Sequence, residues 1–190
     1  MTCGRTDLSC TKCRLSEKRT RVVPGIGSRR SGIVFIGEAP GKDEDLKGKP
    51  FVGRSGKLLD LVLEEMGVRR THIYVSNLVM CRPPNNRRPR KDEIRTCTSL
   101  YLEPDLADIS PRVVCALGQT VAEHFLGQKR KMKEMVGREF ELSLAGRKTR
   151  LFVAYHPAAC LYQRKNLAKF KDSVRSGLDA AGLVQSPPLR

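Results

Sequence analysis

The chain has 190 residues, 36 of them Lys or Arg and 20 Asp or Glu, which leaves a formal net charge of +16. With 39% apolar and 29% charged residues it is no disordered polyelectrolyte, and no apolar run approaches the ~20 residues that cross a bilayer. The opening MTCGRTDLSCTKC has no apolar stretch of the kind a secretory signal needs, so a cytoplasmic location and no membrane partner are expected.

A chain of this length buries roughly 70% of its unfolded surface, enough for one sizeable core. One domain over 1–190 is expected, with 1–32 an irregular cysteine-bearing segment and 183–190 a frayed tail. After that first segment, IVFIG at 33–37 reads as a buried strand. SGKLLDLVLEEMGV at 55–68 sets Leu58, Leu59, Val62, Leu63 and Met66 on one helical face, with Ser55 as N-cap. HIYVSN at 72–77 is a second strand. Residues 91–108 resume a helical pattern through Ile94, Cys97, Leu100 and Tyr101, which Pro104 is expected to end or kink. RVVCALG at 112–118 is the third strand and QTVAEHFLG after it the third helix. EFELSL at 139–144 and TRLFVAYHP at 149–157 are two more strands around the turn AGRK, and a basic helix runs from about Gln163 to Ala181. Alternating strands and helices predict an α/β fold of three α/β/α layers around a mainly parallel sheet.

Ligands of open α/β sheets bind beyond the carboxyl ends of the strands. GEAPGKDED, NLVMCRPPNN, LGQT and HPAA follow the strands here, which brings Glu38, Asn77 and His156 to one edge.

Seven cysteines are an odd number, and a reducing compartment does not support a disulfide framework. Cys10 and Cys13 form C-x2-C, and Cys81 and Cys97 stand much later. Four thiolates fit tetrahedral zinc or a [4Fe–4S] cluster, and spacing does not separate the two. Cys115 reads as core packing, while Cys3 and Cys160 have no evident role.

Glu38, just past a buried strand, can hold a water or stabilise a nearby cation; its plainer reading is a turn residue. Asp43 and Asp45 are expected in a solvated loop. Phe51 lies between glycines and either stacks on a base or plugs the core. Asn77 offers a donor and an acceptor side by side, as base-reading amides do, or it simply leaves a strand as a turn former. His156 can donate to a developing oxyanion or satisfy the backbone. The charge points to a polyanion, most simply nucleic acid.

GEAPGKDEDLKGKPFVGRSGKLLD (37–60), the Cys10/Cys13 pair, SNLVMCRPPNNRRP (76–89) with Cys97, and YHPAA (155–159) stand in one order along almost the whole chain. Together they resemble the family 4 uracil-DNA glycosylases, the iron–sulfur branch of that superfamily. The resemblance implies a four-stranded parallel sheet, a [4Fe–4S] cluster on Cys10, Cys13, Cys81 and Cys97, and excision of uracil from single- or double-stranded DNA by a monomer. It implies that Glu38 orients the attacking water and stabilises the sugar cation, and that His156 stabilises charge on uracil O2. Phe51 would stack on the flipped base, Asn77 would read its O4 and N3–H, and Gly37, Ala39 and Gly41 would wall the pocket. Arg82, Arg87, Arg88 and Arg164 would meet phosphates, joined by Arg90, the basic run at 129–133 and Lys165. Leu161 is the nominated wedge in an intercalation loop that also holds Tyr162 and Gln163. A non-catalytic, metal-stapled nucleic-acid-binding module is the competing reading; it explains charge and cysteines but not an acidic loop at the sheet edge.

Overall fold

The computed structural model describes residues 6–184; Cys3 and residues 185–190 of the expected tail lie outside them. Among the described residues six strands form one sheet: β1 (Ile26–Gly27), β2 (Ile33–Gly37), β3 (Tyr74–Asn77), β4 (Val113–Leu117), β5 (Glu139–Leu144) and β6 (Arg147–Ala154), in the order β1-β3-β2-β4-β6-β5. The central four, β3-β2-β4-β6, are parallel, while β1 and β5 add antiparallel edges. Every residue of β2, β3 and β4 is buried, as strands covered on both faces must be.

Alternating residues feed two cores. Val34, Ile36, Tyr74, Val114, Ala116, Leu151 and Val153 face one side. Ile33, Phe35, Val75, Val113, Cys115 and Phe152 face the other. Helices α3 (Lys91–Cys97), α4 (Glu103–Ile109) and α5 (Gln119–Leu126) cover the first face through Cys97, Leu106 and Val121. Helices α2 (Arg54–Glu65), α7 (Pro157–Tyr162) and α8 (Leu167–Ala180) cover the second through Leu59, Val62, Cys160, Phe170 and Val174. Short helices α1 (Lys42–Lys47) and α6 (Met132–Met135) complete the set.

Several sequence expectations are corrected here. Residues 1–32 are not wholly irregular: Arg14–Glu17 form a 3-10 turn, and β1 pairs with β3 because Ile26 and Gly27 meet Val75 and Tyr74. The cap of α2 is Gly53 rather than Ser55, because the backbone turns into the helix two residues earlier. Asp45 is not solvated; it is 2% exposed and accepts hydrogen bonds from the Thr20 and Arg21 amides at 2.8 and 3.3 Å. Pro104 does not end its helix. A π-turn over Thr98–Leu102 joins α3 to α4, and Glu103 N–H bonds back to Thr98 O, so the ladder is already reset where proline withholds its own donor. The expected C-terminal helix from about Gln163 begins instead as a 3-10 turn at Arg164–Asn166 before α8, and α7 precedes it. Leu183 and Val184, expected in the frayed tail, pack partly buried against the second core.

Candidate active site

The sheet register decides where the site lies. Gly37 pairs with Asn77 and Leu117 with Ala154, so these strands end nearly flush. From β2 the chain goes to β3 on one side and returns with β4 on the other, and diverging connections there open a crevice. A cavity of about 570 Å³ occupies it, lined by Glu38, Ala39, Gly41, Phe51, Asn77 and His156 among others. Gly37 underlies it: a Cβ there would stand 2.5 Å from Asn77 Oδ1 and 2.6 Å from the Phe51 ring, so glycine is what lets the two side chains share that wall.

Phe51 has φ +53°, left-handed backbone that a bulky residue enters only at a cost of about 1–3 kcal/mol. Its neighbours hold it there. Gly56 carries no side chain, and a Cβ there would collide with the Phe51 carbonyl. The Glu44 carboxylate accepts from Val52 N–H at 2.9 Å, Gly53 N–H at 2.8 Å and Gly41 N–H at 3.1 Å. Glu44 thus ties the loop that carries Phe51 to the loop that carries Glu38.

His156 is the N-cap of α7, and its Nδ1 accepts from Ala158 N–H at 3.2 Å. With Nδ1 an acceptor, the neutral ring carries its proton on Nε2. Burial pushes its pKa down to about 4, against a weaker opposing pull from the Glu44 carboxylate, so the imidazole is neutral at pH 7. Its ring centroid lies 6.1 Å from that of Phe51 at a tilt of 32°. The Glu38 carboxylate makes no ion pair among the described residues and lines the same cavity, which leaves its oxygens available to water.

Cys10, Cys13, Cys81 and Cys97 line a second, smaller pocket, with Arg19, Met80 and Tyr101 between them. Burial chiefly pushes the Cys81 thiol up to about 11 and that of Cys97 up to about 12, the neighbouring cysteines adding to the rise while Arg19 and Met80 N–H oppose it. Such sulfurs ionise together only around a compensating cation. Two donors already aim at sulfur: Met80 N–H lies 3.2 Å from Cys97 Sγ and Arg19 Nη1 3.5 Å from Cys81 Sγ. Among the described residues no three His, Cys, Asp or Glu side chains close on a single metal ion. An all-sulfur set with N–H···S donors fits an iron–sulfur cluster.

The uracil DNA glycosylase superfamily model matches residues 24–177. A type-4 uracil-DNA glycosylase of Archaeoglobus fulgidus is 42% identical over 163 residues, 84% of this chain and 81% of that protein. The chain belongs to the type-4 uracil-DNA glycosylases. Two further members, from Saccharolobus solfataricus and Thermotoga maritima, are 43% and 42% identical over 80% and 83% of this chain, covering 73% and 80% of their own lengths.

In this type-4 glycosylase the basic rim is more tied down than its sequence suggests. Arg87 grips the buried Glu93 with two bonds of 2.8 and 2.7 Å, and Arg88 meets Glu123 at 2.9 Å. Arg82 donates to Asn86 Oδ1 at 2.7 Å. Arg87 still lines the cavity; Arg164 lies away from it, in the exposed turn after α7. Leu161 is 37% exposed and its neighbour Tyr162 83%, so the tyrosine is the more prominent side chain on that tip. Cys115 is core, as expected, and Cys160 is a buried thiol on α7.

Among the lining residues not singled out from the sequence are Glu44 and Asn86. Glu44 had a usable signal: it stands three residues after Gly41, the spacing at which a glutamate folds back onto the start of its own helix. Asn86, at φ +54°, had none beyond its place in a proline-rich loop. Replacing Glu44 by Ala should leave three amides without their acceptor and lower stability by about 2 kcal/mol, measured as the guanidinium unfolding free energy. An unchanged unfolding curve would remove Glu44 from this role.

Proposed function

We propose that this chain flips uracil out of DNA and hydrolyses its N-glycosidic bond, leaving an abasic site. The observation that carries the reading is the convergence of Glu38, Phe51, Asn77 and His156 on one cavity at the sheet's switch point. The family relatives are named for the same reaction, and a DNA-binding module without catalysis gives no reason for that convergence.

Heterolysis leaves an oxocarbenium-like sugar and a uracil anion. Glu38 orients the attacking water and faces the sugar cation, while His156 donates Nε2–H to uracil O2. Both interactions strengthen as charge separates, which is the condition for lowering the barrier. The base leaves the duplex stack at a cost of a few kcal/mol, partly regained by stacking on Phe51. The Asn77 amide donates to O4 and accepts from N3–H. Cytosine presents a donor at the first position and an acceptor at the second, so its pairing with the same amide fails at both. The +16 charge supplies attraction to phosphates, with Leu161 or Tyr162 filling the space the base vacates.

A [4Fe–4S] cluster held by Cys10, Cys13, Cys81 and Cys97 would supply iron–thiolate bonds that fasten the N-terminal segment to the loop after β3 and to the end of α3. Purified protein is then expected to be brown, with about four irons per chain. A colourless protein containing zinc would refute the assignment.

The function is tested by incubation with a uracil-containing oligonucleotide followed by alkali. Strand cleavage at uracil, with thymine and cytosine controls intact, is the expected result; no cleavage would overturn it.

A further inference from the structure

We propose that Arg70 is a positioning residue that holds the uracil-stacking ring of Phe51 from the side away from the cavity; the proposal rests on the reading that Phe51 stacks on the base. Arg70 opens the 3-10 turn Arg70–His72 that precedes β3, and it is absent from the cavity lining. Its guanidinium carbon lies 5.7 Å from the Phe51 ring centroid, with the cation over the ring. Nη1 donates to Asp60 Oδ1 on α2 at 2.7 Å, and Nη2 donates to the carbonyl of Pro50, the residue before Phe51, at 3.3 Å.

These three contacts complete the restraint of a conformation that Phe51 does not adopt by preference. Glu44 holds the amides after it, Gly56 makes room beneath it, and Arg70 holds the carbonyl before it together with the ring. Only a planar fork makes all three contacts at once: one nitrogen reaches the carboxylate, a second the carbonyl, and the plane lies against the ring. Lysine carries the charge without the fork. Asp60 keeps the guanidinium paired where burial works against its charge. Arg70 therefore acts through the ring's placement, and a ring held ready before the base arrives does not have to be ordered during binding.

A double-mutant cycle on a single-stranded uracil oligonucleotide tests this, comparing wild type, Arg70→Met, Arg70→Lys, Phe51→Leu and the pair Arg70→Met with Phe51→Leu. Arg70→Met and Arg70→Lys are each expected to lower kcat/KM about tenfold, and in the Phe51→Leu background Arg70→Met should change it less than about twofold. Affinity for an abasic oligonucleotide, which has no base to stack, should stay within about twofold. Equal losses in both backgrounds, or undiminished activity of Arg70→Met, would overturn the proposal. Should Arg70→Met fail to fold, Asp60→Asn enters the same cycle with the same expected coupling. Phe51→Leu with wild-type activity would instead refute the stacking role, so the two failures are told apart.

Discussion

Glu38→Gln is expected to lower kcat on uracil-containing DNA by about 10²–10⁴-fold while leaving affinity for that DNA within a few-fold. The substitution keeps size and one acceptor but removes the charge and the basicity that the proposed mechanism assigns to Glu38 for facing the sugar cation and orienting water. Neither is needed to hold the ground state. In the proposed mechanism the cationic surface binds DNA phosphates and Phe51 and Asn77 grip the base, and this substitution touches none of them. Single-turnover kinetics beside an equilibrium binding titration separate the two quantities. A variant with wild-type kcat would remove Glu38 from the mechanism; one that lost DNA affinity in proportion to rate would make it a binding residue.

His156→Asn is expected to cost about 10²–10³-fold in kcat, the loss seen when one preorganised donor to a developing oxyanion is removed. Asparagine is chosen because it is itself a good N-cap, so its side-chain oxygen can keep accepting from Ala158 N–H while the longer reach of Nε2 is lost. The same variant carries a pH test. With its pKa held down to about 4 in the fold and near 6.5 in the unfolded chain, His156 takes up a proton more readily when unfolded. Its contribution is therefore complete above pH ~6.5 and declines as pH falls towards about 4, by about 3 kcal/mol in all. Wild type should lose that much more stability than His156→Asn across the interval, measured by denaturant titration at each pH. Parallel stability curves would show that the imidazole is not held neutral.

Much of this was legible before any fold was known, for reasons that differ from residue to residue. Strands β2 and β4 are apolar on both faces, a pattern that only burial between two layers explains. Glu38 follows β2 directly, Asn77 ends β3 and His156 stands two residues past β6, so a parallel sheet carries them to one edge. Phe51 was undecided between stacking on a ligand and plugging the core. In the fold it is only 6% exposed and still forms cavity wall, because Gly37 and Gly56 let it pack tightly at the boundary.

Other features had no local signature. Asp45 sits in an acidic run that reads as solvated, yet two amides from a segment about 25 residues away bury it. Pro104 reads as a helix stop or kink, and a π-turn just before it carries the helix through. Arg87 and Arg88 read as free cations for phosphate, yet glutamates on α3 and α5 engage them. Composition and strand periodicity thus determined the fold class and pointed to a polyanion, since both are read in order along the chain, while the roles proposed for Glu38 and His156 rest on the family resemblance. Only the tertiary structure decided which charges are already paired, which thiols share a pocket and what holds Phe51 in its strained place. Those depend on distances between residues far apart in sequence, and such distances exist only once the chain has packed.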